Sequence, residues 1–401
     1  MVVVLSLRGL VEVHLVSKPT NHKLSVLCYG RFFDDTPGGI QTHTLHLMRS
    51  LQEEADFVHA VTSRSGKGSA LRAAKRVPVI RTASWNVDGS LALSPALVAQ
   101  THRLHGERQF DLVHLHFPDP MSHLASMMLP SRIPRVISWH ADIVRQKTMR
   151  VFYAPFLKHA VRHAAAIIVA TPSHVSSSAV LAPLASDDRI KVVPYGFDLS
   201  AFLEDAPEKE AIAAKYPGRR IFAAGRHVSY KGLDVLIKAV AKLPPDVILL
   251  LGGSGPLTAD LRQLAQRLGV DGRVHFLGFV PDKLLPAYYQ ASHVFCLPSV
   301  TQAEAFGIVQ VEAMACGKPV VSTRLNNGVD FVNEHGKTGL TVQPGDSAAL
   351  ADALLELFND EAKARMLGAA GRAKAVNEYS AEKMAERILR IYRSAAKPLA
   401  G

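Results

Sequence analysis

The sequence predicts an α/β protein of two domains, each built on a doubly wound parallel sheet. Three observations carry that expectation. At 401 residues the chain is too long for one ordinary core. Short apolar strands alternate with helix-patterned stretches from residue 23 onward, and the alternation restarts at Arg220 after a charged, alanine-rich, proline-bounded stretch over 203–219. Hydrophobic residues make up 48% and charged residues 20%, a globular composition able to bury two cores. The expected divisions are an irregular leader over 1–22, a first domain over 23–200, a second over 201–379, and a terminal helix over 380–401 packing back on the first domain.

In the first domain, residues 23–29 form a buried strand, followed by a loop holding Gly38 and Gly39 and by helical apolar spacing over 40–53. Strand, glycine loop and helix make the phosphate-approach unit of a doubly wound sheet, although no G-x-G-x-x-G fingerprint is present. Further pairs follow: a strand at 57–62 and a helix at 91–105, then a strand at 110–117 and a helix at 120–128, then a strand at 135–140. His116 and His140 fall at strand carboxyl ends, where ligands of such sheets bind. His116 is equally readable as a loop histidine packing on Pro118, and His140 is the stronger functional candidate. Residues 145–166 are basic and partly amphipathic, with Arg145, Lys147, Arg150, Lys158 and Arg162 and no acidic residue. Such a helix suits an anionic membrane surface, or a solvated basic face. A strand at 167–170 leads to a helix opening at Pro172, with Ser173 as its expected cap, and residues 190–198 form a last strand and turn.

The second domain repeats the alternation. Strands are expected at 220–225, 246–251, 274–277, 291–298, after Pro319, and at 339–342. Helices are expected at 232–242, 257–268, after Asp282, from Gly307, from Ser347, from Ala362 and over 380–394. Residues 301–321 (TQAEAFGIVQVEAMACGKPVV) place Glu304 and Glu312 about a helix start near Gly307. Unpaired N–H groups at a helix start suit an anion, and carboxylates suit sugar hydroxyls. Arg226 and Lys231 lie on the first strand-to-helix crossing, where they can neutralise a diphosphate, arginine by its fork and lysine as a point charge.

The formal net charge of +11 attracts acidic partners: nucleic acid, an anionic membrane, or phosphorylated substrates. Nucleic acid is disfavoured, since aromatic residues are only 7% and no zinc, helix-turn-helix or RNP pattern occurs. The three cysteines, Cys28, Cys296 and Cys316, form neither a disulfide framework nor a metal cluster, which fits a reducing cytoplasm. Despite 18 histidines there is no H-E-x-x-H or clustered ligand spacing, and no D-x-D triplet, so no metal site is expected. The apolar start ends at Leu7, far short of the roughly 20 residues a membrane span needs, so membrane contact is expected to be peripheral.

Taken in order, these motifs resemble the retaining glycosyltransferases of family 4, which have the GT-B fold of two Rossmann-like domains facing each other across a deep cleft. The resemblance runs from residue 24 to 395 and rests on Gly38-Gly39, Ser138-Trp139-His140, residues 194–198, Gly225-Arg226, Lys231-Gly232, residues 252–256 and Glu304 to Glu312. It implies that Glu304 holds donor-sugar hydroxyls and Glu312 ribose hydroxyls, on successive helical turns. Arg226 and Lys231 would bind the diphosphate, and the N–H groups of Phe306, Gly307 and Ile308 would meet sugar and phosphate oxygens. Gly253 belongs to the same donor site. Gly38 and Gly39 would close on the phosphate, His140 would face the donor sugar, and backbone around Phe279 and Val280 would contact the nucleobase. No cofactor is implied beyond a nucleotide-diphosphate sugar as co-substrate.

Within that family, residues 138–147 and 326–330 are similar to bacterial mannosyl- and rhamnosyltransferases of O-antigen or exopolysaccharide assembly. The implied partners are a GDP-sugar donor, a glycan or polyprenyl-diphosphate-linked acceptor, and the inner face of the plasma membrane. A UDP-sugar donor, a nucleotide-sugar epimerase and a basic nucleic-acid-binding protein are the competing readings.

Overall fold

The structure is a computed structural model that describes residues 23–31, 44, 47–62, 70–74, 77–87, 91–140 and 147–396. The described chain divides into two compact units, one reaching Gly196 and resuming at Met384, the other running from Phe197 to Lys383.

The first unit is an eight-stranded sheet in the order β10-β9-β8-β7-β1-β2-β4-β3. Its strands are β1 (Leu24–Arg31), β2 (Ala55–Thr62), β3 (Ala70–Ala74), β4 (Val77–Thr82), β7 (Leu112–Phe117), β8 (Arg135–Trp139), β9 (Ala166–Val169) and β10 (Ile190–Val192). All pair in parallel except β3, which runs antiparallel to β4. A separate antiparallel pair is made by β5 (Trp85–Val87) and β6 (Leu91–Leu93).

Successive strand residues point to opposite faces, so the sheet carries two cores. Leu27, Tyr29, Leu115, Ile137 and Val169 pack on one side; Val26, Cys28, Val136 and Ile168 pack on the other. Met384, Ala385, Ile388 and Tyr392 of the last helix (Ala381–Ala395) cover the second side. Their spacing is the apolar stripe of an amphipathic helix.

Two local expectations are corrected here. The stretch expected as a helix from residue 91 begins as strand β6; the helix is Pro95–Glu107, because Ser94 accepts the Leu97 N–H at 3.2 Å and Pro95 suits the first turn. Ser173 is not a cap: Thr171 stands at the N-cap of the helix Pro172–Ser176, and its hydroxyl bonds the side chains of Ser173 and His174 instead. Residues 203–219, expected as a linker-like helix or loop, contain the helix Lys209–Lys215 with Ile212 buried.

The second unit is a parallel six-stranded sheet in the order β13-β12-β11-β14-β15-β16. These strands are β11 (Arg219–Ala224), β12 (Val247–Gly252), β13 (Val274–Gly278), β14 (Val294–Leu297), β15 (Val320–Thr323) and β16 (Gly339–Val342). Strands β12 and β14 are buried throughout, as expected of parallel strands covered on both faces. In each unit the strand order reverses beside the first strand, between β1 and β7 and between β11 and β14. Doubly wound sheets bind ligands in the crevice outside the carboxyl ends of the strands at such a switch point. Among the described residues, no helix is long and apolar enough to cross a membrane.

Candidate active site

In the second unit, the loops leaving β11 and β14 are tied together at the switch point. Val300 N–H donates to the Tyr230 carbonyl at 2.8 Å. Gly232 caps the helix Leu233–Val240 at φ 61°, where a Cβ would lie 2.1 Å from the Pro298 carbonyl oxygen. Only glycine permits both the left-handed backbone and that approach. The approach brings Lys231 Nζ to 2.5 Å from Glu304 Oε2, with both side chains nearly buried. Ser299 Oγ donates to the same carboxylate oxygen at 3.0 Å, and Asn327 Nδ2 donates to the Glu304 carbonyl at 2.7 Å. Asn327 is itself fixed by the capping box of the helix Gly328–Val332. Lysine and carboxylate are thus held against each other by fixed neighbours on both loops.

Glu304 lies in the loop, and only Glu312 lies in the helix Ile308–Ala315. The expectation that the two carboxylates occupy successive helical turns is therefore corrected. Their environments differ as well. Tyr289 donates its hydroxyl to Glu312 Oε2 at 2.7 Å, and burial raises the Glu312 pKa above the ordinary glutamate value. Gly307 stands at the N-cap of this helix at φ 71° and offers no side-chain cap; the Gln310 N–H turns back to the Gly307 carbonyl at 2.9 Å, which leaves the N–H groups of Gly307 and Ile308 for an external acceptor. Phe306 is buried against Phe197 and Tyr379 and anchors the turn, whereas Ile308 is exposed. Arg226 is exposed and makes no ion pair among the described residues.

Gly253 shows a second close approach. Its φ is +107°, and a Cβ there would lie 1.9 Å from the Gly225 carbonyl oxygen. Gly253 N–H donates to Gly278 O at 2.7 Å, and His227 N–H to Ser254 O at 3.0 Å. The carboxyl-end loops of β11, β12 and β13 are thereby stitched into one rim that includes Val280, buried, and Phe279, exposed.

In the first unit, His140 directly follows β8 and its N–H donates to Phe117 O at 3.1 Å. Its ring bonds His116 and the Tyr195 hydroxyl. His116 is a buried strand residue, not a loop histidine on Pro118. Gly38 and Gly39, expected after β1, lie outside the described residues, as does Arg145.

One cluster was not anticipated. Cys28, His114 and His116 each bring a potential metal-ligand atom within 4.8 Å of the others, all buried. His114 and His116 are i, i+2 on β7, and Cys28 is the register partner of His114 on β1. The donor set is poorly disposed to a metal. His114 bonds Tyr392 at 2.6 Å and Ser138 at 2.8 Å through its two nitrogens, and burial pushes the Cys28 thiol far up, away from the thiolate a metal needs. The alternation His-x-His on a strand was the only clue to this cluster, and its partners come from other strands. Tyr195, Ser299, Tyr289 and Asn327 were missed for the same reason.

The family description "Glycosyltransferase Family 4" matches residues 37–201, and "Glycosyl transferases group 1" matches residues 205–374. A D-rhamnosyltransferase of Pseudomonas aeruginosa is 30% identical over 352 residues, 86% of this chain and 89% of that protein. A phosphatidyl-myo-inositol mannosyltransferase of Mycobacterium leprae is 31% identical over 385 residues, 93% of this chain and 97% of that protein. Among solved structures, Anabaena HepE in complex with UDP superposes with a TM-score of 0.73 at 22% identity, covering 92% of this chain and all of that one. A phosphate-ready helix start and a lysine–carboxylate pair stand at the switch point of one parallel sheet, and relatives of this identity span nearly the whole length. The chain therefore belongs to the family 4 glycosyltransferases and has the GT-B fold.

Proposed function

We propose that this enzyme transfers mannose or rhamnose from a GDP-sugar to a glycan or polyprenyl-diphosphate-linked acceptor, with retention of anomeric configuration, in cell-surface polysaccharide assembly. The observation that carries the reading is the Lys231–Glu304 pair beside the uncapped start of the helix Ile308–Ala315. A nucleotide-diphosphate sugar matches both halves of it. On binding, the donor takes Glu304 with its sugar hydroxyls and Lys231, with Arg226, on its diphosphate. Glu312, held by Tyr289, takes the ribose hydroxyls.

In the reaction the bond between the anomeric carbon and the diphosphate oxygen breaks, and the acceptor oxygen bonds that carbon on the same face. The acceptor proton passes to the leaving phosphate oxygen, so atoms and charges balance without a protein nucleophile. Lys231, Arg226 and the N–H groups of Gly307 and Ile308 stabilise the negative charge as it develops. The groups assigned to the diphosphate are two cationic side chains and backbone N–H donors, and no metal is assigned to this step; chelator-treated enzyme is expected to keep its rate.

The mannosyl and rhamnosyl names of the relatives support the choice of sugar. A transfer and thermal-shift screen of GDP-, UDP-, ADP- and dTDP-sugars tests it. Stabilisation and turnover with a GDP-sugar are expected, with the product's anomeric configuration read by NMR. Turnover confined to a UDP-sugar would replace the donor, and conversion of free nucleotide sugar without acceptor would make the chain an epimerase.

The helix Lys147–His163 supports a peripheral membrane position on the cytoplasmic face. It buries Leu157, Ala160 and Val161 while exposing Phe156, Lys158, His159, Arg162 and His163. Charge reversal at Lys147, Arg150 and Lys158 is expected to weaken sedimentation with anionic vesicles. Unchanged sedimentation would remove the membrane from the reading.

A further inference from the structure

His140 is held at both ring nitrogens by residues of its own unit. Nε2 lies 3.0 Å from His116 Nδ1, and Nδ1 lies 3.2 Å from the Tyr195 hydroxyl. The rings are also stacked: His116 on His140 at 5.3 Å and 6°, and His140 on Tyr195 at 6.0 Å and 14°. Strand register explains the first contact. His116 is the partner of Ser138 across β7 and β8, and His140 follows Ser138 by two residues, on the same face. Tyr195 reaches the other nitrogen from the loop after β10.

Two imidazole nitrogens in hydrogen-bond contact share one proton. If His116 Nδ1 carries it, His140 accepts at Nε2, keeps its own proton on Nδ1 and donates that to the tyrosine oxygen. If His140 Nε2 carries it, His116 accepts and the tyrosine O–H donates to His140 Nδ1. In either arrangement, flipping the His140 ring breaks two half-buried hydrogen bonds.

We propose that His116 and Tyr195 are positioning residues for glycosyl transfer, fixing the ring plane of His140 and tying its tautomer to that of His116 through a hydrogen-bonded His–His–Tyr chain. The inference deepens the proposed function and rests on it, with His140 facing the donor sugar as the family resemblance implies. A ring held at both nitrogens must release a partner before it can move a substrate proton. That suits a reaction in which the leaving phosphate takes the acceptor proton, and it assigns His140 the task of shaping the reacting centre by a fixed orientation.

The test uses the full chain labelled with 15N-histidine, first without substrate. The two His140 ring nitrogens should resolve as one protonated and one bare. His116→Phe or Tyr195→Phe should bring them toward an averaged position. His116→Asn, whose amide sits where Nδ1 lay, should keep them apart. In transfer assays, His116→Phe and Tyr195→Phe should lower kcat roughly 10- to 100-fold, the loss expected of a misplaced reacting group. KM for the nucleotide sugar should stay unchanged, and His116→Asn should recover most of the rate. Identical His140 signals in wild type and both Phe variants would overturn the proposal, as would a loss confined to KM. Tyr195→Phe removes a single oxygen and keeps the test open if His116→Phe fails to fold. A wild-type chain that transfers no sugar would instead defeat the proposed function, and the ring spectrum would still decide whether the chain of rings holds His140.

Discussion

The Lys231–Glu304 site and the His116–His140–Tyr195 site both stand at carboxyl ends of strands beside a switch point, yet they are built differently. The first is made of an ion pair, an uncapped helix start and glycines whose missing Cβ atoms let loops touch. The second is made of aromatic rings hydrogen-bonded across strands, with partners 24 and 55 residues apart in the chain. One arrangement answers to charge, the other to orientation. The difference teaches that the two units should fail in different kinetic terms when cut.

The largest effect is expected in the ion pair. Lys231→Ala and Glu304→Ala should each reduce transfer by about 10²–10³-fold or more, the cost typical of removing a group that stabilises developing charge. Lys231→Ala should also weaken nucleotide affinity by calorimetry, whereas His140→Ala should lower kcat and leave that affinity intact. Equal loss of nucleotide binding in His140→Ala would erase the contrast, and near-normal turnover in Lys231→Ala would sink the site. Each variant is to be melted as well, because removing one partner of a pair this buried can cost about 3 kcal/mol.

Gly253→Ala comes next. The left-handed backbone and the 1.9 Å approach to Gly225 O forbid a Cβ, so the rim must shift. A stability loss of about 3 kcal/mol in denaturant titration is expected, with weaker donor binding. An unchanged midpoint would mean that the rim is looser than it is drawn.

The smallest effect sharpens the difference between the two carboxylates. Burial raises the folded-state pKa of Glu312 above its unfolded value, so the carboxyl costs nothing below the unfolded value and the cost grows until pH has passed the folded value. Glu312→Gln should therefore melt higher than the wild type at pH 8, read by a thermal melt. The gain should vanish below the ordinary glutamate value of 4.5. A gain that persists in acid would assign the effect to packing.

How much was legible in the sequence followed from range. Runs such as Val247 to Gly252, buried on both faces, and the glycines before the helices at Leu233 and Ile308 declared strands, turns and helix starts within a few residues. The hairpin β3–β4 was not legible, because residues 70–82 mix arginine, lysine and alanine with only a short apolar run. Nor was the partner of Glu304: its place in the loop before Gly307 is local, but Lys231 lies 73 residues away in the chain.

By itself, then, the sequence determined the two parallel sheets, the helix start at Gly307 and the presence of Arg226, Lys231, Glu304, Glu312 and His140, since periodicity and glycine placement act within a few residues. Only the tertiary structure decided which of these groups touch. Lys231 meets Glu304, Tyr289 meets Glu312, and His140 sits between His116 and Tyr195, because strand order and register bring together residues that no local pattern links.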